Sequence, residues 1–310
     1  MESPGDRFRI FPEAAALRDF SEACSSLLGN VQSAQAPDCP AGRELASATA
    51  PDLAETAFSQ GSLLSLAARD HAEALARSLT EPVLTIAPWP IARNLLEASA
   101  IGSWLLDPAI EGHQRVSRSF AVRYNGLVQQ IKVARAEGSD VQRSQDALDR
   151  LVASAQSSGY PIIHNDEGKV DGVAERMPSI TDLVGSILDA EVFYRILCAV
   201  VHGHGWAVMQ LGLQDHGPAE SQIIGQGSSR AFRKALSPVA VRFACVKSGD
   251  ALYRIHQHVA ELFGVDSSGL QGILRSLREC VCGPAVGTMG TRITSASTGH
   301  APRAGEARGR

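Results

Sequence analysis

The chain has 310 residues, 44% of them hydrophobic and only 5% aromatic, enough apolar material for one sizeable core or two small ones. A formal charge of -4 and a pI near 6.1 exclude a globally basic nucleic-acid binder and leave only a local basic patch to consider. Six cysteines, Cys24, Cys39, Cys198, Cys245, Cys280 and Cys282, show neither a disulfide framework nor the paired spacing of a zinc site. The start, Met1-Glu-Ser-Pro-Gly-Asp-Arg-Phe-Arg9, lacks a basic stretch followed by an apolar one, and no run approaches the roughly 20 apolar residues of a membrane span. The expectation is a cytoplasmic protein with reduced thiols, no cofactor and no membrane contact.

Abundant Ala and Leu favour helices over sheets. Residues 1–11 read as a loose arm. Pro12 to Leu28 reads as a short helix, with Pro12 in its first turn and Gly29-Asn30 beyond its end. Residues 30–52 mix Pro, Ser, Ala and Gly without period and read as a linker. From about Asp52 to Ser78, Leu64, Ala68, His71, Leu75 and Leu79 recur at spacings of three or four, with Arg69, Glu73 and Arg77 on a separate line. Pro88-Trp-Pro90 starts the next helix, Ile91 to Leu106, which Asp107-Pro108 ends. Its Ala92, Ala98, Ser99, Ala100, Gly102 and Ser103 let another helix approach closely, so it is expected to be central.

A long amphipathic helix follows from about Ala109 to Ala136, with Val116, Phe120, Leu127 and Ile131 as its stripe and Arg123 in the same line. Ser139 to Ser157 reads as a shorter, more polar helix. Residues 158–177 read as irregular, with a small hairpin across Asn165-Asp-Glu-Gly168. Pro178-Ser-Ile-Thr-Asp182 is a helix start capped by Ser179, with a break near Asp189. A helix containing Phe193 to Met209 runs to about Leu213, and residues 214–229 read as a loop. Pro238 to Phe263 carries Val241, Cys245, Ser248, Leu252, Ile255, Val259 and Leu262 at alternating spacings of four and three, a stripe for the bundle or for a second copy. Ser267 to Cys280 adds one helical piece, and residues 284–310 read as disordered. The expected fold is a single all-α bundle of about seven to nine helices with flexible termini. It divides into an N-terminal helix and linker (1–52), a bundle core (53–265) and a short helix with a tail (266–310).

Chemistry concentrates in Phe193–Met209. Arg195 and His202 stand seven residues apart, close to two turns, so both lie on one face. The surrounding residues are apolar on every side, which reads as a buried helix. A buried guanidinium needs an acid, a carbonyl or a ligand anion. An imidazole beside a fixed guanidinium suits phosphoester cleavage, with His202 moving a proton and Arg195 holding the charge on phosphate. The other reading is a structural polar clasp between helices. Arg93 and Glu97, spaced i,i+4, offer either a partner for Arg195 and an orienter for His202 or an exposed ion pair. Tyr194 and Trp206 read as core aromatics. His256 and His258 fall on opposite sides of their helix and read as surface residues.

Arg195 and His202, with six residues between them near the start of a helix in a helical bundle, resemble the Arg…His motif of the HEPN superfamily. The resemblance implies an all-α, often dimeric fold and a metal-independent endoribonuclease whose Arg and His meet at the dimer interface. Arg195 would then bind the scissile phosphate and His202 act as general acid or base. The chain departs from the motif at Ile196, where active members usually carry a polar residue. Ala92-Arg-Asn-Leu-Leu-Glu-Ala98, Trp104-Leu-Leu-Asp-Pro108 and Tyr194 to Gly203 also resemble an uncharacterised family of helical bacterial proteins over roughly residues 85–265, which implies a common core and no activity.

Arg115, Arg118 and Arg123 could track a nucleic-acid backbone or form a solvated helix face. His202 and His204 point about 200° apart while helical and so cannot share an ion; no metal is expected. Two functions are carried forward. One is a HEPN-like RNA-cleaving or RNA-binding homodimer using Arg195 and His202, supported by Glu97, Arg93, Tyr194 and His204. The other is a non-catalytic interaction or regulatory protein in which the same pair is a clasp. A sensor binding an anion at Arg195 is a third, weaker alternative.

Overall fold

The prolines of the sequence mark where its helices begin. In the computed structural model, which describes residues 11–33, 38–80, 83–218, 230–234 and 236–281, Pro40, Pro51, Pro88 and Pro238 each stand in the first turn of a helix. There a missing N–H leaves no bond unmade and φ is already helical. The helices are α1 (Pro12–Ser33), α2 (Pro40–Ser47), α3 (Pro51–Ser78), α4 (Pro88–Leu105), α5 (Gly112–Glu137), α6 (Gln142–Ser157), α7 (Ile180–Leu188), α8 (Glu191–Val201), α9 (Gly205–Gly212), α10 (Pro238–Phe263) and α11 (Ser268–Val281). Two small antiparallel sheets accompany them: β1 (Ile162–His164) with β2 (Val170–Val173), and β3 (Leu213–Pro218) with β4 (Arg230–Lys234). The fold is all-α, as expected.

The eleven helices among the described residues exceed the expected seven to nine for local reasons. The stretch read as a linker contains α2, whose start Cys39 caps by accepting the Gly42 N–H on Sγ at 3.2 Å. Thiols rarely act as caps, so the usual Ser, Thr, Asp or Asn signal is missing. Asp189 ends α7 in the left-handed region at φ 47°, and a second break follows His202. Ser179 caps α7 as anticipated. The hairpin across Asn165 also forms: Asn165 Oδ1 accepts the N–H groups of Glu167 and Lys169, and Gly168 supplies φ 75°. The segment read as a loop from 214 pairs in β3 instead, while 219–229, residues 1–10, Cys282 and the expected disordered tail lie outside the described residues.

α4 is the hub, packing on α3, α7, α8 and α10. Its small residues do what the sequence suggested: Ala92, Ser99, Ala100, Gly102 and Ser103 are buried. The α10 stripe, from Val241 to Leu262, is buried within the same bundle and so is not a free seam for a second copy. The expected division of the chain puts α1 and α11 at the margins, yet Leu17, Phe20 and Cys24 of α1 and Leu270, Leu274 and Leu277 of α11 are buried in the core shared with α4 and α10. A second, smaller core joins α5, α6 and the first hairpin through Val116, Phe120, Leu151, Ala155 and Val173. No single helix among the described residues is long and apolar enough to cross a membrane. α8 and α9 together have the length, but they are bent by 108°.

Close approach fixes the hub. A Cβ on Gly102 would stand 2.2 Å from Ile255 Cδ1 and 3.1 Å from Leu64 Cβ, and one on Gly61 2.3 Å from Leu106 Cγ. Gly102→Val is therefore expected to destabilise the protein by about 1–3 kcal/mol through overpacking. Adding Ile255→Val should recover part of the loss, as read by the urea midpoint of both variants.

Candidate functional site

α8 is amphipathic. Phe193, Tyr194, Leu197 and Val200 face the core. Glu191, Arg195 and His202 are exposed and Cys198 half-buried, at successive spacings of four, three and four that define one outer face. The expectation of a helix buried all round is corrected here. Arg195 is 65% exposed, and its Nε donates to Glu191 Oε1 at 2.8 Å, one turn back. The rod to Met209 is also interrupted. His202 is the C-cap of α8, donating its N–H to the Cys198 carbonyl at 2.9 Å; Gly203 turns the chain at φ 70°, and α9 starts at Gly205. The break falls after His202, so the Arg195 and His202 spacing survives on one helical face.

The turn throws a surface outward. His202 and His204 are exposed with ring centroids 6.4 Å apart. Because residues 202–204 are not helical, the angular argument against a shared ion does not apply to them; among the described residues no cluster of three or more His, Cys, Asp or Glu could hold a metal. Trp206, read as a core aromatic, is 58% exposed, and Val192, Val201, Met209, Val239 and Phe243 are further large apolar residues left uncovered. A hollow of about 410 Å³ at the α7–α8 corner is lined by Glu191, Val192, Phe193, Phe243 and Lys247, so the ion-pair partner of Arg195 opens onto it.

Glu97 does not meet Arg195. Its Oε1 accepts from the Tyr194 hydroxyl at 2.6 Å and from Arg93 Nη2 at 2.7 Å, and the Arg93 guanidinium lies over the Tyr194 ring at 5.7 Å. A clasp between α4 and α8 thus exists, built by the residue preceding the one nominated. Successive helical residues point about 100° apart, so Tyr194 turns in where Arg195 turns out. Burial raises the Tyr194 pKa, and the hydrogen bond to Glu97 raises it further. Burial by itself lowers the Arg93 pKa, but the Tyr194 phenol and the Glu97 carboxylate outweigh it and the net shift is upward.

The three α5 arginines are not one solvated face. Arg115 is fully buried: its Nε donates to Glu44 of α2 at 3.1 Å and its Nη1 to the Leu105 carbonyl at 2.9 Å, with the guanidinium over Phe58. Arg118 donates to the Trp104 carbonyl and covers the Trp104 ring at 4.9 Å, and burial lowers its pKa. Neither can follow a nucleic-acid backbone. Arg123 lies over Phe120 at 5.8 Å, half-buried, with no carboxylate partner among the described residues.

His256 corrects another expectation. It is fully buried, its Nδ1–H donating to the Leu252 carbonyl at 2.8 Å and its Nε2 accepting from the Ser65 hydroxyl at 3.2 Å. Burial pushes its pKa down to about 4. This serine–histidine pair resembles a nucleophile and base, but neither residue has exposed surface, so no substrate reaches it. His258, half-buried, bonds the Ser103 carbonyl at 3.1 Å, and burial lowers its pKa too.

The partnership of Glu44 with Arg115 and the burial of His256 were not found by sequence reasoning. Histidine fits either face of a helix, and Glu44 sits in a helix opened by a thiol. A hollow of about 1030 Å³ lies where α2 turns into α3 beside the start of α5 and the end of α6, and none of Tyr194, Arg195, His202 and His204 lines it. Comparisons with family models, curated proteins and solved structures find no match.

Two outcomes test this assignment of inner and outer charges. Arg115→Ala should cost on the order of 3 kcal/mol because it strands a largely buried carboxylate, whereas Arg195→Ala should stay within about 0.5 kcal/mol; chemical denaturation separates them. His256 is held neutral in the fold and protonates readily when unfolded. Its contribution is fully present above the ordinary histidine range near 6.5 and is lost as pH falls toward 4, by on the order of 2–3 kcal/mol. The stability of His256→Gln should show a shallower fall between pH 6.5 and 4 than the parent.

Proposed function

We propose that this chain is a HEPN-like, metal-independent RNA-cleaving protein whose site is completed by α8 of a second copy. The observation that carries the reading is that Arg195 and His202 share the exposed face of α8 beside uncovered Trp206, Met209, Val201 and Val192. Surfaces of this kind are enriched at interfaces, and a two-fold pairing would bring the same face of two copies together. A clasp inside one chain would need Arg195 buried against an acid, and that role falls to Tyr194 and Arg93 around Glu97.

The chemistry suits the residues. His202 takes the proton of a ribose 2′-hydroxyl, the oxygen attacks the adjacent phosphorus, and the bond to the 5′ oxygen breaks. The leaving oxygen takes a proton from the imidazolium of His202 in the second copy. The products are a 2′,3′-cyclic phosphate and a 5′-hydroxyl. Arg195 stabilises the charge that grows on the phosphoryl oxygens. Its pair with Glu191 is exposed and worth little in water, so a phosphate can displace the carboxylate.

A non-catalytic interaction protein is the second reading, favoured by the half-buried, apolar Ile196 beside Arg195, which packs on the core and offers no polar group to a substrate. The test compares the parent with Arg195→Ala, His202→Ala and Trp206→Glu in RNA cleavage, sedimentation and thermal unfolding. Cleavage should fall at least about 100-fold in the first two at an unchanged melting temperature. Trp206→Glu should shift the parent from dimer to monomer and lose cleavage with it. A parent that leaves RNA intact in the presence and absence of EDTA overturns the nuclease reading and leaves the interaction protein.

A further inference from the structure

The α5–α6 pair carries seven Arg and Lys against four Asp and Glu over residues 112–157, in a chain whose net charge is -4. The carboxylates of α6 are engaged by its own amides: Gln142 donates to Asp146 at 2.6 Å and Gln145 to Asp149 at 3.0 Å. Among the described residues, neither Arg150, exposed on α6, nor half-buried Arg123 on α5 forms an ion pair with a carboxylate. Both line a groove of about 740 Å³ whose walls contain no Asp or Glu.

The other polar groups there are donors or can become donors. Gln60 of α3 reaches the groove, and its Oε1 is taken by the buried Ser119 hydroxyl at 2.6 Å, which leaves its amide N–H groups free to point at a ligand. Ser154 adds a hydroxyl. Beside these groups Leu127 and Leu151 form an apolar floor, and a side chain at Gly126 would meet nothing within 4 Å, so the floor is open at that point. Half-burial of a guanidinium without a counter-charge is unfavourable, and an anion in the groove relieves it. Burial lowers the Arg123 pKa, in line with a cation that has no partner.

We propose that the α5–α6 groove binds a nucleotide unit, its phosphate between Arg123 and Arg150 and its base against Leu127 and Leu151. Paired guanidinium donors suit phosphate oxygens, and an apolar wall beside them suits a flat ring. A groove of this size falls in the range of small-ligand sites. The inference is independent of the α8 reading: it concerns a different helix pair and requires no cleavage. The nucleotide can be free or can belong to a single strand.

Calorimetric titration of the full chain with AMP, adenosine, inorganic phosphate and a ten-residue oligoadenylate tests it. AMP should bind at least about tenfold more tightly than adenosine or phosphate alone, because each carries half of the contact. Arg150→Gln, on an exposed position, and Arg123→Gln should each weaken AMP about tenfold or more, while Arg77→Gln, exposed on α3 and outside the groove, should leave it unchanged. Oligoadenylate binding more tightly than AMP, with a steeper loss on added salt, assigns the site to a strand; equal affinities assign it to the free nucleotide. No heat from AMP or oligoadenylate, or affinities unaltered in both arginine variants, overturns the proposal. Affinity for phosphate equal to that for AMP overturns the role of the apolar floor.

Discussion

The fold depends on how closely α4 approaches α3 and α10. Two positions without a side chain, Gly61 and Gly102, make that distance accessible, since Leu106 and Ile255 occupy the space a Cβ would need. Small residues along α4 continue the contact, and Trp89, Leu95 and Leu96 fill what remains. A central helix held so tightly becomes a reference for its neighbours. Glu97 projects from it toward α8 and accepts the hydrogen bond from Tyr194, which with buried Phe193, Leu197 and Val200 marks the side of α8 that faces the core. Once Tyr194 faces in, Arg195 and His202 face out. The composition of the candidate site therefore follows from packing two helices away.

The charged groups and the histidine sealed in the interior follow one rule. Arg115 meets Glu44, and Glu13 of α1, only 1% exposed, meets Arg242 of α10 at 2.7 Å. His256 meets Ser65 and a carbonyl. Each of these groups carries a partner on a different element or a backbone oxygen one turn away, so these pairs stitch helices together, whereas the buried Ser99, Ser103 and Ser248 hydroxyls have none among the described residues. Exposed or half-exposed cationic groups and imidazoles gather at the end of α8 and along the α5–α6 groove. Those two places differ in kind. One presents an imidazole and a guanidinium beside uncovered apolar residues; the other gathers cations and amide donors around a hollow.

Much of the architecture was legible. Period placed α3 and α10 within a few residues, and the Pro, Ser and Gly residues at their ends placed α4, α6 and α7. The hairpin followed from Asn165 and Gly168. The failures share a cause. α2 begins at a cysteine, a cap that composition does not advertise. The continuous rod over Phe193–Met209 looked sound because its residues are apolar, yet Gly203 and Gly205 allow a sharp turn where packing requires one. Hydrophobicity in that stretch reflected an uncovered surface as well as a core, and a single chain cannot distinguish the two by composition.

Local order was thus settled by the sequence itself: the helical class, the helix starts at Pro12, Pro88 and Pro238, the stripe of α10 and the small-residue character of α4. These depend on backbone propensity and periodicity, which act over a few residues. Tertiary structure decided which of two neighbouring residues, Tyr194 or Arg195, turned toward Glu97, which α5 arginine found Glu44, and which histidine of α10 was sealed from water. A rotation of about 100° between successive helical residues is enough to exchange interior for surface. That angle is selected only when whole helices pack, because the energy that chooses it is spread over contacts distant along the chain.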